Sequence, residues 1–230
     1  MPQLHKASTL PAIALKTILT IATFLFLISC KETKKPIVDT KIVGKTWDIK
    51  LENNLGIFKI TLPKHLDTLF NWTQYSDCGD GCAKVDYRIQ SKLLPVFKDN
   101  GFYWIPLKDS VEQFTIKHPK LTRQWPINDT SLVRQFSGRL KNEAYENRSD
   151  KFLIDTILKV DNLNIAVIAF NSIDTTKNVK VQILNAMTAI DGNLIELFFE
   201  YRKSYKDTVA SNFIQTSFDA LRTIRVSNGR

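Results

Sequence analysis

Cys78 and Cys82 lie in the run NWTQYS-DCGDGC-AKVDYRIQ, spaced C-x-x-x-C. Three chemistries use such a pair: a structural disulfide, a redox couple or half of a metal site. Trp72, Thr73 and Tyr75 before it, and Val85, Tyr87 and Ile89 after it, have strand character. Gly79 and Gly81 can supply the positive φ of a tight hairpin, so the cysteines are expected to face each other across its neck. A redox pair favours C-x-x-C at a helix N-terminus. A zinc site needs further ligands, and past residue 30 only His65 and His118 could supply imidazole. The disulfide is therefore the expectation. Closing so short a loop is worth about 2 kcal/mol, which pins register more than it holds the fold.

The other chemistry-bearing side chains point to no reaction. G-x-S-x-G, H-E-x-x-H and the G-x-x-x-x-G-K-[ST] phosphate loop do not occur. His65 and His118 each stand beside a lysine and near a proline (PKH, KHP), which reads as a solvated surface turn. Asp77, Asp80 and Asp86 lack the spacing and terminal glutamate of a calcium loop. No catalytic residue, metal ligand or cofactor is assigned. Aromatics gather at Phe70-Asn71-Trp72, Phe102-Tyr103-Trp104 and Trp125-Pro126, suited to a carbohydrate or peptide groove but more simply read as packing.

Aspartate precedes Ser or Thr at seven of its sixteen occurrences. Five fit Asp-[Ser/Thr]-apolar or Thr, placing a hydroxyl at Thr68, Ser110, Thr156, Thr175 and Thr208, where composition predicts about one. The pattern is similar to an O-glycosylation sequon used on exported proteins by some bacteria. Caps and turns favour the same dipeptides, and Asp207 or Thr208 is read as the cap of the closing helix.

The third cysteine carries the clearest message. Thr17–Ile28 (TILTIATFLFLI) is an apolar run of twelve residues, short of the about twenty that cross a bilayer but of signal-peptide core length. No acid occurs in residues 1–29, and His5, Lys6 and Lys16 precede the run. It ends on Leu27-Ile28-Ser29-Cys30, then KETKKPIVDTK. This resembles the lipobox of bacterial lipoproteins, and the resemblance implies that Cys30 is lipidated and becomes the first residue of the mature chain. Two acyl chains suffice for stable anchoring. The expected address is the bacterial cell envelope, with the outer membrane favoured, the protein facing the periplasm or the cell surface. Such a compartment also lets a disulfide persist.

The organisation that follows is a signal peptide over 1–29, a lipidated flexible tether over 30–46, and one globular domain over 47–230. The chain has 32 basic and 23 acidic residues, a net +9. Lys6 and Lys16 would leave with the signal peptide, and the five lysines of 31–45 against Glu32 and Asp39 carry +3 of the remainder. That basicity suits export and an anionic lipid surface, and leaves no reason to expect a nucleic-acid partner.

Within 47–230, strands are expected at Ile57–Leu62, Phe70–Ser76, Ala83–Ser91, Val96–Lys98, Phe102–Leu107 and Phe114–Lys117. Further strand pairs are expected at Phe152–Lys159 with Asn164–Asn171 and at Val179–Ile190 with Leu194–Arg202 across Asp191-Gly192. One helix should open at Asn128-Asp129-Thr130 with Leu132, Val133, Phe136 and Leu140 on a stripe. Another should follow Asp207 or Thr208 with Val209, Phe213, Ile214, Phe218 and Leu221. The fold class is α+β, mainly antiparallel β-sheet with two amphipathic helices packed on it.

The final strand pair, its Asp-Gly turn and a helix ending on Phe218-Asp219-Ala220-Leu221-Arg222-Thr223-Ile224 resemble PsbP-like domains. That family includes extrinsic photosystem subunits and small periplasmic lipoproteins acting as accessory or chaperone-like factors. It contributes no site residue. The expected function is that of a membrane-anchored, non-catalytic accessory or binding lipoprotein, inhibitor and immunity types included, meeting a protein or an envelope polymer. The alternative is an envelope enzyme, either a hydrolase built on scattered carboxylates or a thiol-disulfide protein.

Overall fold

The structure, a computed structural model, describes residues 43–75, 77–94, 111–121, 129–146, 152–174, 178–207 and 211–227. All belong to Lys41–Arg230, one of two units into which the chain divides. The strands expected at 96–98 and 102–107 lie outside the described residues.

Every described strand pairing is antiparallel. The strands are β1 (Gly44–Lys50), β2 (Ile57–Pro63), β3 (Thr68–Gln74), β4 (Lys84–Gln90), β5 (Val111–Pro119), β6 (Phe152–Val160), β7 (Leu163–Asp174), β8 (Val179–Ile190), β9 (Asn193–Ser204) and β10 (Arg225–Ser227). Among the described residues there are two helices, α1 (Asp129–Glu146) and α2 (Phe213–Arg222). A three-stranded sheet runs β1-β2-β10, and a seven-stranded sheet runs β3-β4-β5-β9-β8-β7-β6. The architecture is thus a mostly antiparallel β fold with two helices.

Turn chemistry explains the long hairpins. Between β8 and β9, Asp191 and Gly192 take φ of 47° and 74°, the pair of positive values that matches strand twist. Asp161 does the same between β6 and β7 at φ 52°. At the start of β1, Gly44 pairs with Pro63, and a Cβ there would sit 2.1 Å from the Leu62 carbonyl oxygen. Only glycine allows that approach. β1 therefore begins inside the stretch expected to be tether.

One face of the large sheet is mainly apolar. Val85, Ile89, Phe114, Ile116, Leu184, Ile195, Leu197 and Phe199 bury there with Phe58, Ile60 and Leu62 of β2 and Leu221 of α2. The opposite face divides in two. Over β7 and β8 it is apolar, and Ala166, Ile168, Phe170, Ile183 and Met187 bury with Val133, Phe136, Leu140 and Ala144 of α1. Over β4, β5 and β9 it is polar.

Three expectations are corrected. His118 is not a surface histidine: it is 1% exposed. It shares the core face of β5 with Phe114 and Ile116, by strand alternation. Its ring stacks on Tyr87 at 5.7 Å, and Nδ1–H donates to the Pro119 carbonyl at 2.8 Å. His65 is on the surface and pairs with Glu112 at 3.0 Å. The closing helix does not start at Asp207 or Thr208. It starts at Phe213, whose N–H donates to Ser211 Oγ at 3.1 Å. Asp207 instead closes the turn after β9, its N–H donating to Ser204 O at 3.0 Å and its carboxylate 3.9 Å from Lys203.

The third correction concerns the cysteine loop. β3 and β4 pair as expected, but they stop at Gln74 and Lys84, and a 3-10 turn at Asp80–Cys82 fills the connection. Only Gly79 of the two glycines has positive φ, at 84°. Cys78 and Cys82 are bonded, with Cα atoms 5.9 Å apart, and cinch the loop tip rather than the hairpin neck.

Burial gives His118 a pH signature. Desolvation, the largest cause, lowers its pKa below 6.5, opposed by the hydrogen bond to Pro119 and the charge of Glu52. The unfolded chain then binds a proton that the native state refuses. Stability should be level above the ordinary imidazole value and fall as pH drops below about 6.5 toward the depressed folded value. Urea midpoints across that window should show the slope, and His118→Gln should flatten it. An unchanged slope in the variant would assign the dependence to other groups.

Candidate functional site

The polar half of the sheet face is built from alternate residues of adjacent strands. Asp86 on β4 stands opposite Lys117 on β5, which stands opposite Glu196 on β9. In the next row Arg88 faces Thr115, then Phe198, then Asn185 on β8. In the third, Gln90 faces Gln113 and then Glu200. Opposite charges on neighbouring strands support one another at about 0.2–1 kcal/mol per pair.

These groups are not solvated. Asp86 is 0% exposed, Arg88 1% and Glu200 3%, and charges so placed need partners. Lys117 Nζ is 3.8 Å from Asp86 Oδ2. Arg88 Nε donates to Thr115 Oγ1 at 3.3 Å, and its guanidinium lies 5.0 Å from the centre of the Trp72 ring. Glu200 accepts from Gln113 Nε2 at 2.7 Å and pairs with Arg202. Glu196 accepts from Lys84 at 3.1 Å and from Arg139 at 3.2 Å. Arg139 also donates to Glu143, one turn along α1, at 2.9 Å. Desolvation acts to lower the Arg139 pKa, but Glu143 and Glu196 together raise it, so α1 is tied to the sheet by a permanent cation.

Where this network meets α1, a cavity of about 350 Å³ opens. Its charged lining is balanced: Arg88, Lys117 and Arg202 against Glu143, Glu196 and Glu200. Leu140, Met187 and Phe198 provide apolar lining, and Thr115 and Asn185 add neutral polar groups. Asn185 Oδ1 is buried with no hydrogen-bond partner among the described residues. The volume and the mixed lining are those of a small-molecule site. No group of three or more His, Cys, Asp or Glu able to hold a metal occurs among the described residues.

None of the residues given a site role from the sequence lines this cavity. Cys30, Ser110, Thr175 and Thr208 lie outside the described residues. Thr68 is half-buried at the start of β3 and donates to Asp67 Oδ1 at 2.9 Å. Asp67 also accepts the Lys92 N–H at 2.8 Å, and that backbone bond leads the causes lowering its pKa. The Asp-Thr pair there ties the start of β3 to the chain just past β4. Thr156 is exposed on the edge strand β6, beside Asp155, which pairs with Lys141 at 2.8 Å. Of the aromatic clusters, Phe70 and Trp72 stand opposite Arg88 and Asp86 of the network, and the Arg88 guanidinium lies over the Trp72 ring.

The missed residues left a signal that alternation alone misdirects. Lys84, Asp86, Arg88 and Gln90 alternate with Val85, Tyr87 and Ile89, the pattern of a strand with one wet face. A second polar run at Gln113, Thr115 and Lys117, and a third at Glu196 and Glu200, could together have suggested three polar faces meeting. No family model, no curated protein and no solved structure matches this chain.

Proposed function

We propose that this chain is a membrane-anchored lipoprotein of the bacterial envelope that works by binding rather than catalysis. The observation that carries the reading is the apolar run Thr17–Ile28 ending on Ser29-Cys30 and followed at once by charge. The lipid on Cys30 holds the protein at the membrane, and the domain meets a protein or an envelope polymer. An inhibitor or immunity-type role belongs to the same class. The helices are read as amphipathic elements seated on the sheet, and the resemblance of the C-terminal part to PsbP-like accessory proteins agrees with such a role.

The charged network favours binding over catalysis. Glycosidase chemistry needs one carboxyl that donates a proton and a second that stays ionised. Glu196 and Glu200 are four residues apart on one strand, a backbone span of about 13 Å, and each is engaged by a cation. Glu143 and Glu196 are both held by Arg139, which favours the ionised form of each. The bonded state of Cys78 and Cys82 in an exposed loop suits a structural bridge. The hydroxyl of Thr156, exposed on an edge strand, is the described sequon position best placed for a glycan.

Cys30→Ser should shift the protein from the membrane fraction to the soluble fraction, because the loss of the acyl chains removes about 0.8 kcal/mol per buried methylene. Full retention on membranes would overturn the anchor. Crosslinking in intact cells should then capture a specific partner.

A further inference from the structure

We propose that the cavity between α1 and the polar half of the sheet binds a neutral sugar ring, free or as a unit of an envelope polysaccharide. The proposal rests on the binding reading above and names its ligand. Three features of the lining select that chemistry.

Charge comes first. The acids and bases around the cavity balance, and Glu196, Glu200 and Lys117 already have ionic partners inside the network. A charged ligand would have to break one of these pairs or bury an uncompensated charge, and either costs several kcal/mol. A neutral ligand leaves them intact and uses their remaining lone pairs and N–H groups, since a carboxylate offers about four acceptor sites.

Shape and polarity come second. The lining mixes apolar Leu140, Met187 and Phe198 with polar Thr115, Glu200 and Asn185, and Phe198 stands between Thr115 and Asn185 in one row of the sheet. A pyranose has the matching mixture: C–H faces that pack on an aromatic ring, beside hydroxyls that both donate and accept. A purely apolar ligand would leave the polar groups desolvated and unmatched. Third, Asn185 Oδ1 is a buried acceptor lacking a donor among the described residues. A ligand hydroxyl would satisfy it, and an acceptor-only ligand would not.

The test uses the full-length lipidated chain in detergent micelles and isothermal titration calorimetry with maltose and N,N′-diacetylchitobiose as neutral probes. Glutamyl-lysine, net neutral but carrying full charges of both signs, serves as an ionic probe of similar size, and chitin beads probe the polymeric form. At least one neutral form should bind, and the dipeptide should not. Capture by beads without binding of the disaccharides would assign the polymer as the source; saturable disaccharide binding shows that a free sugar suffices. Asn185→Leu, which keeps the volume of the side chain, should weaken binding about tenfold. Phe198→Leu should weaken it while the melting temperature confirms that the variant is folded.

Binding of the dipeptide alone, of no probe, or of sugars with equal affinity to the Asn185 and Phe198 variants would overturn the sugar site. Recovering the disaccharides by chromatography separates this failure from that of the parent reading. Cleaved sugar would sink the non-catalytic assignment while leaving the site in place. A crosslinked protein partner with no sugar binding would do the reverse.

Discussion

Replacing Arg88 by alanine should cost about 3–5 kcal/mol of folding stability, the loss associated with removing one partner from a buried ionic network. Arg88 is 1% exposed, the largest fully buried side chain described, and lies among Asp86, Thr115 and Trp72 on the polar half of the sheet. Its desolvation is costly in isolation, so its neighbours must repay most of that cost. Truncation removes the cation and leaves their acceptors buried, and it also opens a void. Arg88→Met fills the volume but also removes the charge, so it should recover only the packing part of the loss. The comparison therefore weighs packing against charge. Urea unfolding followed by tryptophan fluorescence reads both variants. A loss below about 1 kcal/mol for alanine would mean that water reaches the site and screens it.

Phe114→Ala should be comparably damaging, at about 3–5 kcal/mol. Phe114 is 0% exposed on β5, opposite Phe199 of β9, with ring centres 4.4 Å apart. The substitution removes transfer free energy, an aromatic contact worth about 0.5–1.5 kcal/mol, and the filling between the large sheet and the residues of β2 and α2 in the same cluster. Phe114→Leu should recover more than half of the loss. The pair of midpoints checks this; equal destabilisation by Leu and Ala would show that ring shape, not volume, governs the site.

The two effects lie on opposite faces of one sheet, on the neighbouring strands β4 and β5, which bears on how much could be read in advance. Local rules served well where the decisive contact is local. Asp191-Gly192 dictates its hairpin through backbone conformation alone, and the α1 stripe Val133, Phe136 and Leu140 is buried as its spacing implies. They failed where burial depends on distant chain. His118 beside Pro119 looks like a turn, yet it is pinned by Tyr87 across β4. Alternation in β4 shows which residues share a face, but not whether that face is wet. Asp86 and Arg88 are dry because β5 and β9 add matching polar rows, and no single window of sequence contains all three. β1 and β10 escaped for the same reason. Three residues of β10 have no periodicity, and they become a strand only against β2.

That last pairing sets an order of assembly. β2 joins β1 nearby, but its other edge waits for Arg225–Ser227, and the Thr61 N–H waits for Thr223 Oγ1, 162 residues downstream and 2.8 Å away in the finished fold. β5 likewise waits for β9. A chain emerging from the ribosome N-terminus first therefore holds β2 and β5 with open edges until nearly all of it has appeared. Contacts so distant in sequence form slowly, since loop closure must precede their reward. Were the chain exported unfolded, as the proposed address implies, such lateness would be protective, because the fold would stay incomplete until β10 had joined β2.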